Sequence, residues 1–292
     1  MSKRKLDEES RLKIDATPRS KFRASAVQST FNLEGKVFVI TGASKGIGAA
    51  VARHCRAHGS VGLLLIDCDE ENGQKLCSEL CDRQCIVIFV AADLGSAEEC
   101  KRAASEFSKF ERIDGLVNCA GVTTRGSLAD TSVEKWDSVL NINLRSAFLM
   151  TQAVTEFMKD HRIPGSIVNI SSVHGHGGGA SMLPYSVSKA GMICMTKNNA
   201  AELQEFGIRV NAVTLGWTVT DTEDAFQRKV TGPHWVQNAE RTFPFGRLLQ
   251  SEDASSTVGF LLSDASVMIS GTVVDLHPEL IVGCLPRQFG NN

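Results

Sequence analysis

Val37-Phe38-Val39-Ile40-Thr41-Gly42-Ala43-Ser44-Lys45-Gly46-Ile47-Gly48 is the stretch that decides how this chain folds. Its first four residues are apolar and mostly β-branched, the mark of a short buried strand. Three glycines then make a turn, and Ile47 to His58 carries a helical pattern. A strand that enters a helix through such a turn leaves free N–H groups and a positive dipole end where an anion can sit. Gly42 permits the sharp turn, Gly46 lets a pyrophosphate approach the backbone, and Gly48 allows close helix packing, with Ser44, Lys45 and Ile47 filling the loop. Glycines also serve ordinary tight turns, so a second signal is needed.

Asp67 is that signal. It lies 19 residues past Gly48, at the end of a second apolar run, Gly62-Leu63-Leu64-Leu65-Ile66. A carboxylate there can accept both hydroxyls of an adenosine ribose. It also repels a 2′-phosphate and favours NAD over NADP, while Lys45 in the turn pulls the other way. The alternative is an ordinary turn residue at a strand end.

Further strand signals recur at Ile86–Val90, Gly115–Val117, Ser166–Ile170, Arg209–Val213 and Gly271–Val274, separated by helical stretches that include Val133–His161 and Ser186–Phe206. Runs this apolar suit a parallel sheet covered by helices on both faces. The expected fold is α/β, a single doubly wound domain of about seven parallel strands over residues 33–283. Residues 1–30 hold eight Lys or Arg against four Asp or Glu with almost no apolar periodicity. Residues 1–32 therefore read as a charged, disordered arm, and 284–292 as a tail.

A formal charge of −2 gives no reason to expect nucleic acid or an anionic membrane as partner. No apolar run approaches the ~18–20 residues that span a bilayer. Nine cysteines, an odd number without paired close spacing, read as reduced thiols of a cytoplasmic protein. Cys77, Cys81 and Cys85 recur every four residues, but without nearby histidines they read as packed thiols rather than zinc ligands.

Tyr185 is the sole tyrosine and stands four residues before Lys189. On a helix the two share a face. A phenol near pKa 10 is a poor proton shuttle at neutral pH, and an ammonium at ~4 Å with an effective dielectric of ~20 supplies roughly the 4 kcal/mol needed to bring it to ~7. The expectation is an acid/base pair with a lowered Tyr185 pKa. A half-buried Tyr beside a solvated Lys is the alternative.

Taken together, residues 33–276 resemble the short-chain dehydrogenase/reductase family, whose fold is of the Rossmann type. Thr41 to Gly48 fits its TGxxxGIG, Asp93-Leu94 its acidic pair, and Asn118-Cys119-Ala120-Gly121 is similar to NNAG, with Cys in place of the second Asn. Asn143 aligns with the catalytic asparagine, Ser172 falls 13 residues before Tyr185, and Tyr185 and Lys189 fill YxxxK. The resemblance implies NAD(P)-dependent hydride transfer between a secondary alcohol and a ketone. Ser172 would orient the substrate oxygen and Tyr185 would exchange its proton. Lys189 would hold the nicotinamide ribose, and Asn143 would bind a relay water through its helix backbone. Asp93 and Leu94 would hold the adenine, and Asn118 would stabilise the sheet beside the cofactor. Ala120, Gly121, Thr218 and Thr220 are further implied cofactor contacts. The resemblance also implies a homodimer or homotetramer.

Two stretches depart from the family pattern: Leu215-Gly216 replaces Pro-Gly, and His277-Pro278-Glu279 replaces Asp-Gly-Gly. His174 and His176 flank Gly175, but no acidic or cysteine partner lies at ligand spacing. No metal is expected; substrate contact by either histidine is one reading, and solvent-exposed loop histidines are the other. Thr220–Gly246 reads as a long connection forming a mobile substrate lid, or equally as aromatic core packing. The expected substrate is a small polar alcohol or ketone, such as a sugar, polyol or hydroxy acid. The alternatives are an NADPH-dependent 3-oxoacyl thioester reductase and a non-catalytic dinucleotide-binding redox sensor.

Overall fold

A computed structural model describes residues 31–277 except 178 and 244. The expected arm, tail and Pro278-Glu279 segment lie outside these residues, apart from Phe31 and Asn32. In chain order the elements are β1 (Val37–Thr41), α1 (Gly46–Ala57), β2 (Gly62–Asp67), α2 (Glu70–Leu80), β3 (Ile86–Ala91), α3 (Ala97–Ser105), β4 (Gly115–Asn118), α4 (Val133–Leu140), α5 (Ser146–Asp160), β5 (Ser166–Ser172), α6 (Leu183–Leu203), β6 (Arg209–Leu215), β7 (Thr218–Val219), α7 (Asp221–Val230), α8 (Trp235–Glu240), β8 (Leu249–Gln250), α9 (Ser251–Leu262) and β9 (Val273–Leu276).

Seven strands form one sheet in the order β3-β2-β1-β4-β5-β6-β9, and every pair is parallel. Alternation along the strands explains the two-sided core. Phe38, Ile40, Leu63 and Leu65 join Val51, Leu76 and Val258 from α1, α2 and α9. Val39, Leu64 and Ile66 face the other way, towards Ala103, Met150, Val154 and Leu203 from α3, α5 and α6. Both faces are buried along the five inner strands, which is why those strands read as continuous apolar runs.

The strand order turns back between β1 and β4, where Thr41 lies beside Asn118. Such a switch point opens a crevice at the carboxyl ends of the strands, and ligands bind there in open α/β sheets. All the predicted cofactor residues up to Gly121 lie at, or after, the carboxyl ends of β1, β2, β3 and β4.

Three details differ from the sequence expectation. The last helix of the YxxxK motif begins at Leu183 rather than Ser186, because Pro184 fits the first turn of a helix, where no N–H is needed. The last strand runs Val273–Leu276, two residues later than expected. Thr220–Gly246 is not a plain connection: it contains α7 and α8, and Thr218-Val219 pairs with Leu249-Gln250 in a small second sheet.

Candidate active site

The glycine turn is as tight as its sequence implies. Gly42 and Gly46 have φ of 64° and 55°, values that L side chains rarely adopt. A Cβ on Gly42 would sit 2.7 Å from the Ala120 backbone, and one on Gly48 would sit 2.1 Å from the Gly42 carbonyl oxygen. The helix therefore packs against the strand with only backbone between them. Ser44 Oγ is buried in this turn without a hydrogen-bond partner among the described residues. Thr41 Oγ1 accepts from the N–H groups of Cys119 and Ala120 and locks the ends of β1 and β4 together.

Asp67 lies at the end of β2, and its two oxygens accept from the N–H groups of Ser44 and Asp69 at 3.0 Å each. A carboxylate has lone pairs to spare beyond these two bonds. Lys45, which argued for NADP from the sequence, places Nζ 3.5 Å from Asp69. Its charge is therefore answered by a second carboxylate that the motif did not flag. Asp93 accepts from Gly95 N–H just past β3, with Leu94 buried beside it. Asn118 donates to Asn169 of β5 and to Thr151 of α5, tying sheet to helix under the crevice.

The four residues expected to carry the chemistry come from three different elements. Ser172 ends β5, and Tyr185 and Lys189 lie on α6. Asn143 sits in a π turn, Asn141–Arg145, that joins α4 to α5, and is fully buried. π turns of this kind recur at functional sites because they widen the backbone locally. The Asn143 side chain donates to Val122 O and Ser188 Oγ and accepts from Val122 N–H, so it is fixed. Gly121 completes the cluster: a Cβ there would meet Asn143 Oδ1 at 3.3 Å and Lys189 Nζ at 3.5 Å. Ser172 Oγ accepts from His174 N–H.

Electrostatics correct one expectation. Burial raises the Tyr185 phenol above its ordinary pKa, a hydrogen bond with Ser172 opposes this, and the Glu223 carboxylate pushes it further up. Lys189 Nζ stands 5.8 Å from the Tyr185 ring centroid and donates to Ile170 O at 2.7 Å. Burial also depresses Lys189 to about 8. Desolvation of both partners outweighs the pairwise attraction counted from i, i+4 spacing, because that count treats the charges as already dry.

Glu223 is a site residue that the sequence reading missed. It lies in the first turn of α7 and accepts from Trp217 Nε1 at 2.8 Å and Gln227 Nε2 at 2.7 Å. Thr220 caps α7 by accepting from Glu223 N–H. Thr-x-x-Glu is a helix-start signature, and weighing it would have placed α7 from sequence. Substitution Glu223→Gln removes a charge that holds the phenol up. Its expected result is an acidward shift of the Tyr185 limb in the pH–rate profile, read by steady-state kinetics.

The aromatics of this segment form a small core of their own. Trp235 is buried, its ring 5.4 Å from that of Trp217, which lies 6.1 Å from Phe243. Thr220 Cγ2 would lie 3.6 Å from a Cβ on Gly46, so the start of α7 overhangs the glycine turn. Thr218 sits in β7, its hydroxyl donating to Gly216 O.

A family model described as Enoyl-(Acyl carrier protein) reductase matches residues 42–276. The chain belongs to the short-chain dehydrogenase/reductase family. As a short-chain dehydrogenase/reductase it is an NAD(P)-dependent oxidoreductase acting on CH–OH groups. It is 36% identical over 251 residues to a 3-oxoacyl-[acyl-carrier-protein] reductase of Thermotoga maritima, covering 86% of this chain and 99% of that protein. It is 33% identical over 246 residues to a 3beta-hydroxysteroid dehydrogenase of Eggerthella lenta, covering 83% and 92%. Among solved structures, a putative NAD(P)-dependent gluconate 5-dehydrogenase from Beutenbergia cavernae with bound NADP at low occupancy is similar at TM-score 0.77 and 29% identity, covering 85% of this chain and 97% of that one. A putative gluconate dehydrogenase from Agrobacterium tumefaciens gives 0.79 and 27%, covering 87% and 99%. No helix among the described residues is long and apolar enough to cross a membrane.

Proposed function

We propose that this short-chain dehydrogenase/reductase interconverts a ketone and a secondary alcohol on a small polar substrate that carries a carboxylate, a sugar acid or other hydroxy acid, with NAD preferred over NADP. The observation that carries the substrate class is Arg125. Its guanidinium lies 4.4 Å from the Phe226 ring centroid, and no carboxylate pairs with it among the described residues. His174 links it to the chemistry: its ring is 6.0 Å from that of Tyr185, and burial, then the Arg125 charge, lower its pKa. An exposed cation with no carboxylate partner among the described residues, linked to the reacting phenol through His174, suits an anionic substrate. The two similar gluconate dehydrogenase structures agree with this class.

Bound NAD(P) supplies the hydride chemistry at nicotinamide C4. The protein's share is orientation and proton placement. Ser172 Oγ and the Tyr185 hydroxyl hold the substrate oxygen, and Tyr185 exchanges its proton. Burial keeps that phenol protonated, which suits it to donate to the oxygen of a ketone being reduced. Lys189 and Asn143, both buried behind it, provide the cation and the fixed scaffold for proton relay. Asp67, with Asp69 beside it neutralising Lys45, supports the preference for an unphosphorylated ribose.

A second reading, 3-oxoacyl thioester reduction, is favoured by the identity to the Thermotoga maritima reductase. A panel of hydroxy acids, polyols, steroids and 3-oxoacyl esters, each with NAD and NADP, separates the two. Arg125→Leu sharpens the comparison. Losing a charged hydrogen bond costs roughly 1.5–3 kcal/mol. The variant is therefore expected to lose about 10–100-fold in kcat/KM for a carboxylate-bearing substrate and little for a neutral polyol. An equal loss on both would remove the case for an acid. Thioester turnover with NADPH that exceeds every hydroxy acid would establish the second reading instead.

A further inference from the structure

We propose that His176, Asp275 and His277 form a binding site for a divalent transition-metal ion, zinc by its donor set, that ties the loop after Ser172 to the last strand. The site lies outside the proton-transfer machinery and does not depend on the substrate proposed above.

The fold brings together residues that the sequence holds 99 positions apart. Ser172 ends β5 in register with Leu215 of β6, and Leu215 is in register with Leu276 of β9. The chain leaves β5 and β9 at the same height. His176 closes the short 3₁₀ turn Val173–His176 that follows β5. Asp275 and His277 flank Leu276, and the two-residue period of a strand points them to one side. These are the acidic and imidazole partners that local spacing around His174 and His176 lacks.

The distances suit an ion. Asp275 Oδ1 is 3.0 Å from His176 Nε2 and 3.4 Å from His277 Nε2, and one donor atom from each residue falls within 4.8 Å of the others. Zinc bonds of ~2.0–2.1 Å in a tetrahedron separate neighbouring ligand atoms by ~3.3–3.4 Å. Two imidazoles and a carboxylate suit zinc and its transition-metal neighbours, whereas magnesium and calcium prefer oxygen alone. The Thr214 hydroxyl donates to the same Asp275 oxygen and orients the carboxylate, as outer partners of metal ligands do.

His277 provides the independent sign. Its side chain is 1% exposed, neither ring nitrogen makes a hydrogen bond among the described residues, and the one polar contact there is the 3.4 Å approach of Nε2 to Asp275 Oδ1. A buried imidazole that makes no hydrogen bond costs free energy, and a metal bond to Nε2 would satisfy one of its two nitrogens. His176 and Asp275 keep 27% and 30% of their side-chain surface exposed, so an ion can enter from solvent and hold water in its open position. The clamp bears on the active site through one turn, since His174 N–H, two residues before His176, donates to Ser172 Oγ.

Without metal the same three residues would be held only by the contacts of the two imidazoles with Asp275 Oδ1, and the experiment separates the two. The full chain, stripped with a chelator, is titrated with Zn²⁺ and with Co²⁺ in excess Mg²⁺. Expected is one ion per chain, visible cobalt bands of tetrahedral intensity, no near-ultraviolet thiolate charge-transfer band, and a zinc-dependent rise in Tm. His176→Asn and His277→Asn should each weaken binding at least tenfold. His176 is exposed, so His176→Asn decides the matter even if His277→Asn fails to fold. The proposal is overturned by a thiolate band, by binding that His176→Asn leaves unchanged, or by no zinc uptake at micromolar free metal.

Discussion

Tyr185→Phe is expected to reduce kcat by at least 10²–10⁴-fold while leaving NADH affinity within about threefold. The substitution removes one oxygen from a side chain that is otherwise buried and held by its ring. Packing survives, and the hydroxyl that exchanges a proton with the substrate is gone. Fluorescence titration with NADH and steady-state kinetics read the two halves separately. Retained turnover would mean that the proton travels by another route and that the lone tyrosine is structural. Because Tyr185 is the sole phenol, ultraviolet titration of the wild type also reports its pKa directly. In the free protein that value should lie above 10, the sign set by burial.

Lys189→Met should act in opposite directions on activity and stability. Turnover should fall on the order of 10²–10³-fold, since the variant removes the buried cation at the site. Stability follows from linkage. Folding depresses the ammonium from 10.5 to about 8, so the unfolded chain binds more protons between those values. Stability then rises with pH through that window, and at neutral pH the buried charge costs roughly 3 kcal/mol. Methionine carries no such penalty but leaves the Ile170 carbonyl without its Nζ partner, at about 1–3 kcal/mol. The expected outcome is a Tm near or above that of the wild type at pH 7, with the rise between pH 8 and 10.5 flattened. A large drop in Tm at pH 7 would show that the ammonium stabilises the fold rather than straining it.

The sheet was legible because its five central strands are buried on both faces and need no alternation to be seen. The glycine turn was legible because Gly42 and Gly48 stand where any side chain would collide with backbone. The sequence reading missed or misplaced features of three kinds. The helix expected from Ser186 starts at Leu183, with Pro184 inside its first turn, since proline is at home there. α7 and α8 hid in a stretch where aromatics and polar residues mix, although Thr220 and Glu223 carried the local signal of a helix start. The approach of His277 and Asp275 to His176 had no local signal at all, because it is created by the strand order. The lowered phenol pKa failed for an energetic reason: spacing reports which groups meet, while desolvation depends on everything packed around them.

The π turn at Asn141–Arg145 has a consequence for how this chain tolerates change in length. A regular helix advances about 100° per residue, and a π turn accommodates one residue more than an α turn does. Deleting one residue from that turn would heal α4 and α5 into a single uniform helix with its backbone hydrogen-bond ladder intact. It would also rotate everything on one side of the turn by about 100° against the other. Asn143 would leave Gly121 and Ser188, or α4 would swing its face away from α6. The most regular version of this helix is therefore one the enzyme cannot use, and the irregularity behaves as an inserted spacer whose length is fixed at one residue.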